Sequence, residues 1–238
     1  PYTTLFRSGI DITPDDIYAY YERTGTTAKT AAVPPSAYLS LFEKYTKEGY
    51  EVVHLGFTAK LSSSFQNAVL AAGELEGVFP VDTKSLCTGM ALLVIKACEM
   101  RDAGFPAKEI AEQIALLREK VHTTFILNTL DYLSRGGRCS AVTAFGANLL
   151  SIKPSIEMVD GALEVGKKYR GKIETVYGQY IRDQLSDPDK LDLSRAFLSH
   201  SGGGISEETL QAMKKEILRC APFQEVQIIR AGCTISAH

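Results

Sequence analysis

The first half of the sequence alternates between short apolar runs and helix-length amphipathic segments, and this alternation restricts the fold more than any other feature. Strands are predicted at residues 51–58, 78–81 and 123–127, because these runs are apolar and rich in β-branched side chains. Helices are predicted between them at residues 65–75, at 85–101 and from Pro106 onward. A β-α-β-α-α-β order is typical of a layered α/β domain.

Two more helices are predicted before this alternation begins. Thr13, Pro14 and two acidic residues combine a hydroxyl cap, a proline in the first turn and negative charge at a helix start. Pro34 and Pro35 interrupt the chain before a second amphipathic segment. Both patterns mark the beginning of a helix.

The pattern changes after residue 123. A glycine-rich turn is predicted at residues 134–138 and a helix of small residues at 141–150. Asp160-Gly161 separates two strand-like runs, which predicts a hairpin with a type I′ turn. Helices at 172–185 and 206–220 and strands at 196–199 and 226–229 complete the chain. A hairpin among alternating elements indicates a mixed sheet with helices on one side, and a domain boundary near residues 120–123.

Charge and cysteine content exclude several classes of protein. The formal charge of −2 over 238 residues lacks the basic surplus of a general nucleic-acid-binding protein. The five cysteines form no C-x-x-C pair, and no histidine lies at ligand spacing from another histidine or cysteine, so we expect reduced thiols and no metal site. No signal peptide or membrane-spanning run is recognised. We therefore expect a cytoplasmic protein with at most transient membrane contact.

A cluster of hydroxyl groups follows the first strand of the alternating region. Thr58, Ser62, Ser63 and Ser64 lie between a predicted strand and the start of a predicted helix. Hydroxyl donors and the first N–H groups of a helix together favour binding of a carboxylate or phosphate. The simpler interpretation is that one serine only caps the helix. A serine nucleophile is disfavoured, because no G-x-S-x-G motif surrounds these serines.

Two basic clusters have alternative interpretations. Arg135 and Arg138 flank a pair of glycines, and Arg170 lies within a lysine-rich stretch. They form either a solvated surface or a docking face for an acidic or nucleotide-bearing partner. The glycine run at 201–204 is followed by Ser206 and two glutamates, which is better explained as a helix cap than as a phosphate-binding loop.

Several motifs in the same order resemble the DegV family. They are TAAVP at 30–34, KLSSSFQNA at 60–68, DTKS at 82–85, LDYLSRGGR at 130–138, IKP at 152–154 and SAH at 236–238. The resemblance runs through nearly the whole chain. It implies a two-domain α/β fold, with a three-layer α/β/α domain at 1–121 whose sheet is mainly parallel and a two-layer domain with a mixed sheet at 122–238. It also implies that the first strand and the last segment of the family's fold are missing.

The resemblance further implies a lipid-binding function. Proteins of this family resemble the fatty-acid-binding subunits of bacterial fatty acid kinase, which bury a fatty acid between two domains. Such a subunit is not itself an enzyme and has no cofactor; it presents the carboxylate to a separate ATP-dependent kinase subunit that forms an acyl phosphate for phospholipid metabolism. The matching motifs assign the carboxylate-binding residues as Thr30, Ser62, Ser63 and His238. Ser63 stands where many members have glycine.

The acyl chain needs an apolar channel. Candidates for its lining follow two small residues in the second half of the chain: Phe145, Leu149, Leu150 and Ile152. Ordinary core packing explains these residues equally well. The alternatives to a fatty-acid carrier are a hydrolase or phosphotransferase that uses the cluster at 62–64, and a carrier of a different anion.

Overall fold

The computed structural model describes residues 6–140, 152–202 and 204–238 and confirms the α/β class. The helices are α1 (Pro14–Thr24), α2 (Pro35–Lys47), α3 (Ser64–Ala72), α4 (Cys87–Asp102), α5 (Ala107–Leu117), α6 (Asp131–Gly136), α7 (Ile173–Gln184), α8 (Glu207–Cys220) and α9 (Cys233–Ser236). The strands are β1 (Val52–Gly56), β2 (Val78–Asp82), β3 (Thr124–Ile126), β4 (Ile152–Val159), β5 (Ala162–Arg170), β6 (Arg195–His200) and β7 (Glu225–Arg230). They form a parallel pair β1-β2, a sheet of order β3-β4-β5 and a parallel pair β6-β7.

The chain divides into two compact units, and each is made of separate chain segments. The terminal unit contains Pro1–Thr30, Phe125–Ile156 and Val165–His238, and the central unit contains Ala31–Thr124 and Glu157–Glu164. The sequence predicts two continuous domains, 1–121 and 122–238. In the structure, residues 6–30 group with the second half of the chain, and the tip of the β4-β5 hairpin groups with the first half.

The central unit has helices on both faces of its parallel strand pair. Val78 of β2 shares a core with Phe42 of α2 and the buried alanines of α3. Val81 of the same strand shares a different core with Leu93 of α4 and Ile114 of α5. Residues three positions apart in a strand point to opposite faces, so the strand pair lies between two helical layers. This is the predicted three-layer arrangement.

A core of the terminal unit lies among β7, α7 and α8. Val176 and Tyr180 of α7 pack with Met213 and Ile217 of α8 and with Val226 of β7. Helix α8 begins as the sequence predicts, because the Ser206 hydroxyl accepts a hydrogen bond from the N–H of Thr209 at 3.2 Å. The two glutamates that follow lie in the first turn, where they complement the helix dipole.

Helix α1 joins the terminal unit through a small core of its own. Thr13 caps this helix, as the sequence indicates, and the structure completes a capping box with Asp16. Ile17 is 3% exposed and packs against Cys233 and Ala237, which lie in and directly after α9. The sequence does not predict this contact, because α9 is only four residues long and has no helical period that would mark it as a packing partner.

The structure differs from the sequence prediction around residues 131–138. Helix α6 covers the first three residues of the glycine-rich turn predicted at 134–138, because it ends only at Gly136. Gly137 follows it in the left-handed conformation with φ of +67°. Six residues are too few to show a helical period, so the pattern reveals only the glycines that end the helix. The helix predicted at 141–150 lies outside the described residues.

The β4-β5 hairpin has the predicted two-residue turn. Asp160 and Gly161 both have positive φ, at +46° and +81°, as a type I′ turn requires. Lys60 Nζ lies 2.8 Å from Asp160 Oδ2, and Lys84 Nζ lies 2.7 Å from Asp160 Oδ1 and 2.8 Å from Glu119 Oε1. The turn is therefore tied by ion pairs to the strand ends of the central unit.

A titration of the Asp160 carboxyl tests these ion pairs. Hydrogen bonds from Lys60 and Lys84 lower the pKa of Asp160 from 3.8 to about 2. Because the folded pKa lies below the unfolded one, the stabilisation is complete above pH 3.8 and is lost as the pH falls toward 2. We expect Lys84→Met to raise the pKa of this carboxyl toward its ordinary value in an NMR titration. Lys96→Met, which removes an ion pair on α4, should leave it unchanged; equal Asp160 pKa values in all three proteins would contradict the ion-pair assignment.

Candidate functional site

The predicted serines follow the carboxyl end of the parallel strand pair in the central unit. Gly56 ends β1 opposite Asp82, which ends β2. Ligands of α/β proteins bind at this edge of the sheet. The ring of Phe65, in the first turn of α3, packs directly on Gly56, since a Cβ placed there would lie 2.4 Å from the ring. The glycine thus allows α3 to start close to the strand end.

Residues at the end of β2 form hydrogen bonds to the loop that carries the predicted serines, residues 57–63, which we call the serine loop. Thr83 Oγ1 donates a hydrogen bond of 2.7 Å to the carbonyl of Gly56. The Asp82 carboxylate accepts hydrogen bonds from the N–H groups of Lys84 at 2.8 Å and Ala59 at 3.3 Å. Asp82 and Thr83 are recognised in the sequence only as part of a family motif, which does not reveal their role in the loop. Their position at the end of a buried strand is the signal that indicates it.

Thr58 fixes the start of the same loop. Its side chain is fully buried, and Oγ1 donates to the carbonyl of Gly161 at 2.8 Å while it accepts from the N–H of Lys60 at 3.4 Å. The backbone N–H of Thr58 donates to the carbonyl of Ser85 at 3.2 Å. Thr58 is therefore a structural residue. The members of the hydroxyl cluster that solvent can reach are Ser62, Ser63 and Ser64.

The hydroxyl groups of Ser62 and Ser64 are hydrogen-bonded to each other, with 3.0 Å between their oxygens. Ser62 Oγ also accepts from the N–H of Ser64 at 3.2 Å, and Ser64 Oγ accepts from the N–H of Val33 at 3.3 Å. Asn67 Nδ2 donates to the carbonyl of Val33 at 2.8 Å, which joins the segment after Thr30 to the first turn of α3. Both hydroxyl groups are half-buried and held in place.

Ser63 behaves differently from its neighbours. It precedes α3, its side chain is exposed, and it makes no capping hydrogen bond. Capping therefore does not account for Ser63, whereas Ser62 does satisfy one N–H of the first turn. Within the described residues, no histidine is hydrogen-bonded to Ser62 or Ser64.

The other predicted ligands meet in the terminal unit. Thr30 Oγ1 lies 2.8 Å from Nε2 of His238, although the two residues are 208 positions apart in the chain. Both side chains are half-buried. The ring of His238 lies against Gly136, the last residue of α6, since a Cβ on that glycine would lie 2.4 Å from Nδ1. Gly136 is not among the site residues predicted from the sequence.

The environment of His238 favours the uncharged imidazole. Burial lowers the pKa of this side chain from 6.5, and the positive charge of Arg138 lowers it further. At neutral pH the ring therefore carries one proton. It can accept or donate a hydrogen bond without bringing a charge into the site.

The predicted docking arginines lie in the terminal unit, and two of them have structural contacts. Arg135 donates to the carbonyl of Gly25 at 3.3 Å, and its guanidinium lies 5.6 Å from the centre of the Tyr21 ring. Arg138 donates to the carbonyl of Gly136 at 2.6 Å. All three predicted arginines, including Arg170 at the end of β5, are exposed.

The predicted acyl-chain lining is mostly outside the described residues. Phe145, Leu149 and Leu150 fall in that part of the chain, and Ile152 is half-buried at the start of β4. A groove of about 520 Å³ between α4 and α5 contacts Met100, Phe105 and Leu117. None of the predicted site residues lines it, so we do not assign it to the acyl chain.

The described residues contain neither a group that could bind a metal ion nor a membrane-spanning helix. Among residues 6–140, 152–202 and 204–238, no three histidine, cysteine or acidic side chains are grouped so as to bind a metal ion. No helix in the same ranges has both the length and the apolar character needed to cross a bilayer.

Sequence comparison identifies relatives over almost the full chain. A family model described as "Uncharacterised protein, DegV family" matches residues 4–238. A DegV domain-containing protein of Listeria innocua is 31% identical over 236 residues, which cover 98% of this chain and 82% of the relative. A DegV domain-containing protein of Clostridium perfringens is 29% identical over 235 residues, with the same shares of both chains.

Solved structures share the fold. The structure named "Fatty Acid Binding of a DegV family Protein from Thermus thermophilus" has a TM-score of 0.87 and 26% identity, and covers 99% of this chain and 83% of that one. The Fatty Acid Kinase (Fak) B3 protein of Streptococcus pneumoniae, loaded with linoleic acid, has a TM-score of 0.80 and 24% identity, and covers 94% and 79% of the two chains. At that identity the second likeness concerns the fold alone.

Proposed function

Because the chain belongs to the DegV family, we propose that it binds a long-chain fatty acid through neutral hydroxyl and imidazole groups. The proposed carboxylate ligands are Thr30, Ser62, Ser63 and His238. The observation that carries the proposal is the 2.8 Å contact between Thr30 Oγ1 and His238 Nε2, two residues far apart in sequence that the family resemblance assigns to one site. The relative from Thermus thermophilus, whose structure is named for fatty-acid binding, supports the same ligand class.

The polar groups suit a carboxylate that has to react. Hydroxyl groups donate hydrogen bonds to an anion without neutralising it, whereas an arginine would pair with the charge directly. A carboxylate held by Thr30 and Ser62 therefore keeps nucleophilic oxygen available for phosphorylation. The two hydrogen bonds between Ser62 and Ser64 hold Ser62 in one position before the ligand arrives.

The acyl chain supplies most of the binding free energy. Burial of each methylene contributes about 0.8 kcal/mol, so ~14 methylenes contribute roughly 11 kcal/mol before the cost of immobilising the ligand. The polar contacts then select a carboxylate headgroup. We retain Phe145, Leu149, Leu150 and Ile152 as the proposed lining of the acyl channel.

We further propose that the protein is the non-catalytic lipid-binding subunit of a fatty acid kinase. In this role an ATP-dependent kinase subunit would phosphorylate the bound carboxylate, which places the pair in the cytoplasm. The Fak B3 name of the Streptococcus pneumoniae protein motivates the choice of partner. A hydrolase or phosphotransferase that uses the serine cluster is the competing function. It predicts turnover by the purified chain alone, whereas a carrier subunit turns over only with its kinase and ATP.

Titration of lipid-free protein with oleate and with oleyl alcohol separates the contribution of the carboxylate headgroup to the affinity from that of the acyl tail. We expect oleate to bind about 10- to 100-fold more tightly, because a charged hydrogen bond contributes ~1.5–3 kcal/mol and the two tails are the same. Equal affinities would contradict a carboxylate site. Binding of a short phosphorylated compound in preference to both would favour the carrier of another anion.

The arginines give a prediction about the partner. Charge reversal at Arg170, which lies exposed at the end of β5, should lower the rate of acyl-phosphate formation in the presence of kinase and ATP but leave oleate affinity unchanged. The same change at Arg135 and Arg138 should have the same effect on the rate, together with lower stability, because those side chains also bond to backbone carbonyls. Loss of oleate binding itself in Arg170→Glu would contradict a docking role.

A further inference from the structure

Two adjacent glycines at the end of α6 are present for different physical reasons. Gly137 has a φ of +67° and open space around its Cα, so its backbone conformation requires glycine. Gly136 is part of the helix, and its constraint is space. A Cβ built on it would lie 2.4 Å from His238 Nδ1, 3.3 Å from Cγ and 3.4 Å from Cβ of the same side chain. The imidazole thus occupies the volume that any side chain at position 136 would fill.

The two nitrogens of the ring have unequal surroundings. Nε2 is hydrogen-bonded to Thr30 Oγ1, whereas Nδ1 is buried and has no hydrogen-bond partner among the described residues. A neutral imidazole carries its proton on one nitrogen only. A proton on Nδ1 would leave a buried N–H without an acceptor, which is costly, whereas a bare Nδ1 lone pair facing Gly136 is tolerated more readily.

The tautomer decides what Thr30 can offer to a ligand. With the proton on Nε2, the ring donates to Thr30 Oγ1, and the threonine keeps its own hydrogen for another acceptor. With the proton on Nδ1, Thr30 would have to donate to Nε2 and would present only lone pairs to the ligand. A carboxylate only accepts hydrogen bonds, so it requires the first arrangement.

We propose that Gly136 is a positioning residue for the carboxylate site: it lets the His238 ring lie with a bare Nδ1 against α6 and a protonated Nε2 on Thr30, which leaves the Thr30 hydroxyl free to donate to an anion. The part of this inference that concerns the ligand rests on the proposed function, and it makes His238 act on the carboxylate through Thr30, because Nε2 is engaged with Thr30 and Nδ1 is buried. The part that concerns the ring does not, because the tautomer is a property of the protein without ligand.

The test compares Gly136→Ala with Gly178→Ala. Gly178 lies within α7, where a Cβ would meet only the flexible Arg182 side chain at 3.4 Å. Long-range ¹H–¹⁵N NMR of ligand-free protein, assigned with a His238→Asn variant, reports the tautomer of His238. We expect the Nε2–H form in the wild type and in Gly178→Ala, and a mixture of tautomers in Gly136→Ala because the added methyl group displaces the ring. Oleate affinity should fall about tenfold in Gly136→Ala only, because Thr30 partly loses its hydrogen bond to the charged carboxylate.

A double variant keeps the test decisive if Gly136→Ala also lowers stability. In a His238→Ala background the added methyl has no ring to displace, so Gly136→Ala should cause no further loss of oleate affinity. A wild-type Nδ1–H tautomer would overturn the proposal, as would equal tautomers in all three proteins or an equal loss of affinity in both backgrounds. If the wild type binds no fatty acid, the proposed function fails, and the tautomer comparison still decides the role of Gly136.

Discussion

Replacement of Thr30 or Ser62 with alanine is expected to weaken oleate binding by about 10- to 100-fold, because each change removes one hydrogen bond to a charged carboxylate, worth ~1.5–3 kcal/mol. In Thr30→Ala the effect includes the loss of the link to His238, since the ring nitrogen 2.8 Å away then has no hydroxyl partner. In Ser62→Ala the Ser64 N–H also loses its acceptor. Isothermal titration of lipid-free protein measures both effects.

Ser40→Ala is the matched control for these variants. The hydroxyl of Ser40 donates to the carbonyl of Ser36 on the exposed face of α2, so it is equally polar and is engaged only in its own helix. Its removal should leave oleate affinity unchanged. The thermal midpoints of all three variants should stay close to that of the wild type, since the removed hydroxyls are half-buried or exposed. Wild-type affinity in both Thr30→Ala and Ser62→Ala would contradict the assignment of the site.

Gly89→Ala is expected to destabilise the central unit by about 2–4 kcal/mol, although helix propensity alone predicts a gain of about 1 kcal/mol for this change within α4. A Cβ at position 89 would lie 1.9 Å from Thr123 Oγ1 and 2.3 Å from Ser85 Oγ. These two hydroxyls form a buried hydrogen bond of 2.9 Å, so the methyl group would both overlap them and separate them. Chemical denaturation measures the change in free energy of unfolding.

Gly178→Ala serves as the control, because it makes the same substitution inside a helix with only ordinary contacts. It should be neutral or stabilising by up to about 1 kcal/mol. Removal of one obstructing hydroxyl in Thr123→Ala should reduce the cost of the alanine at position 89, and a double-mutant cycle gives that coupling. A stabilising Gly89→Ala, or the absence of coupling with position 123, would show that the contact is not close in solution.

The elements that the sequence predicts best are those with a local physical cause. The hydroxyl cap of Thr13, the cap of Ser206 and the turn at Asp160-Gly161 each depend on a few adjacent residues, and all three are confirmed. The parallel strand pair β1-β2 is also predicted well, because apolar strands that alternate with helices allow few arrangements.

Features that depend on contacts distant in sequence could not be predicted. The grouping of α1 with α9 depends on the packing of Ile17 against Cys233, which no local pattern reveals. The role of Gly136 depends on the ring of His238, which lies 102 positions later in the chain. In the sequence, two adjacent glycines predict only a turn. The site residues Thr30 and His238 were assigned by family resemblance, since neither stands out by spacing or composition.

Mass spectrometry of the lipid extracted from natively purified protein tests the central claim most directly. We predict one long-chain fatty acid per protein molecule, and a clear loss of that lipid in the combined Thr30→Ala and Ser62→Ala variant. A protein that is folded but carries no fatty acid after exposure to a bacterial lipid extract, or that carries a water-soluble anion in its place, would contradict the account.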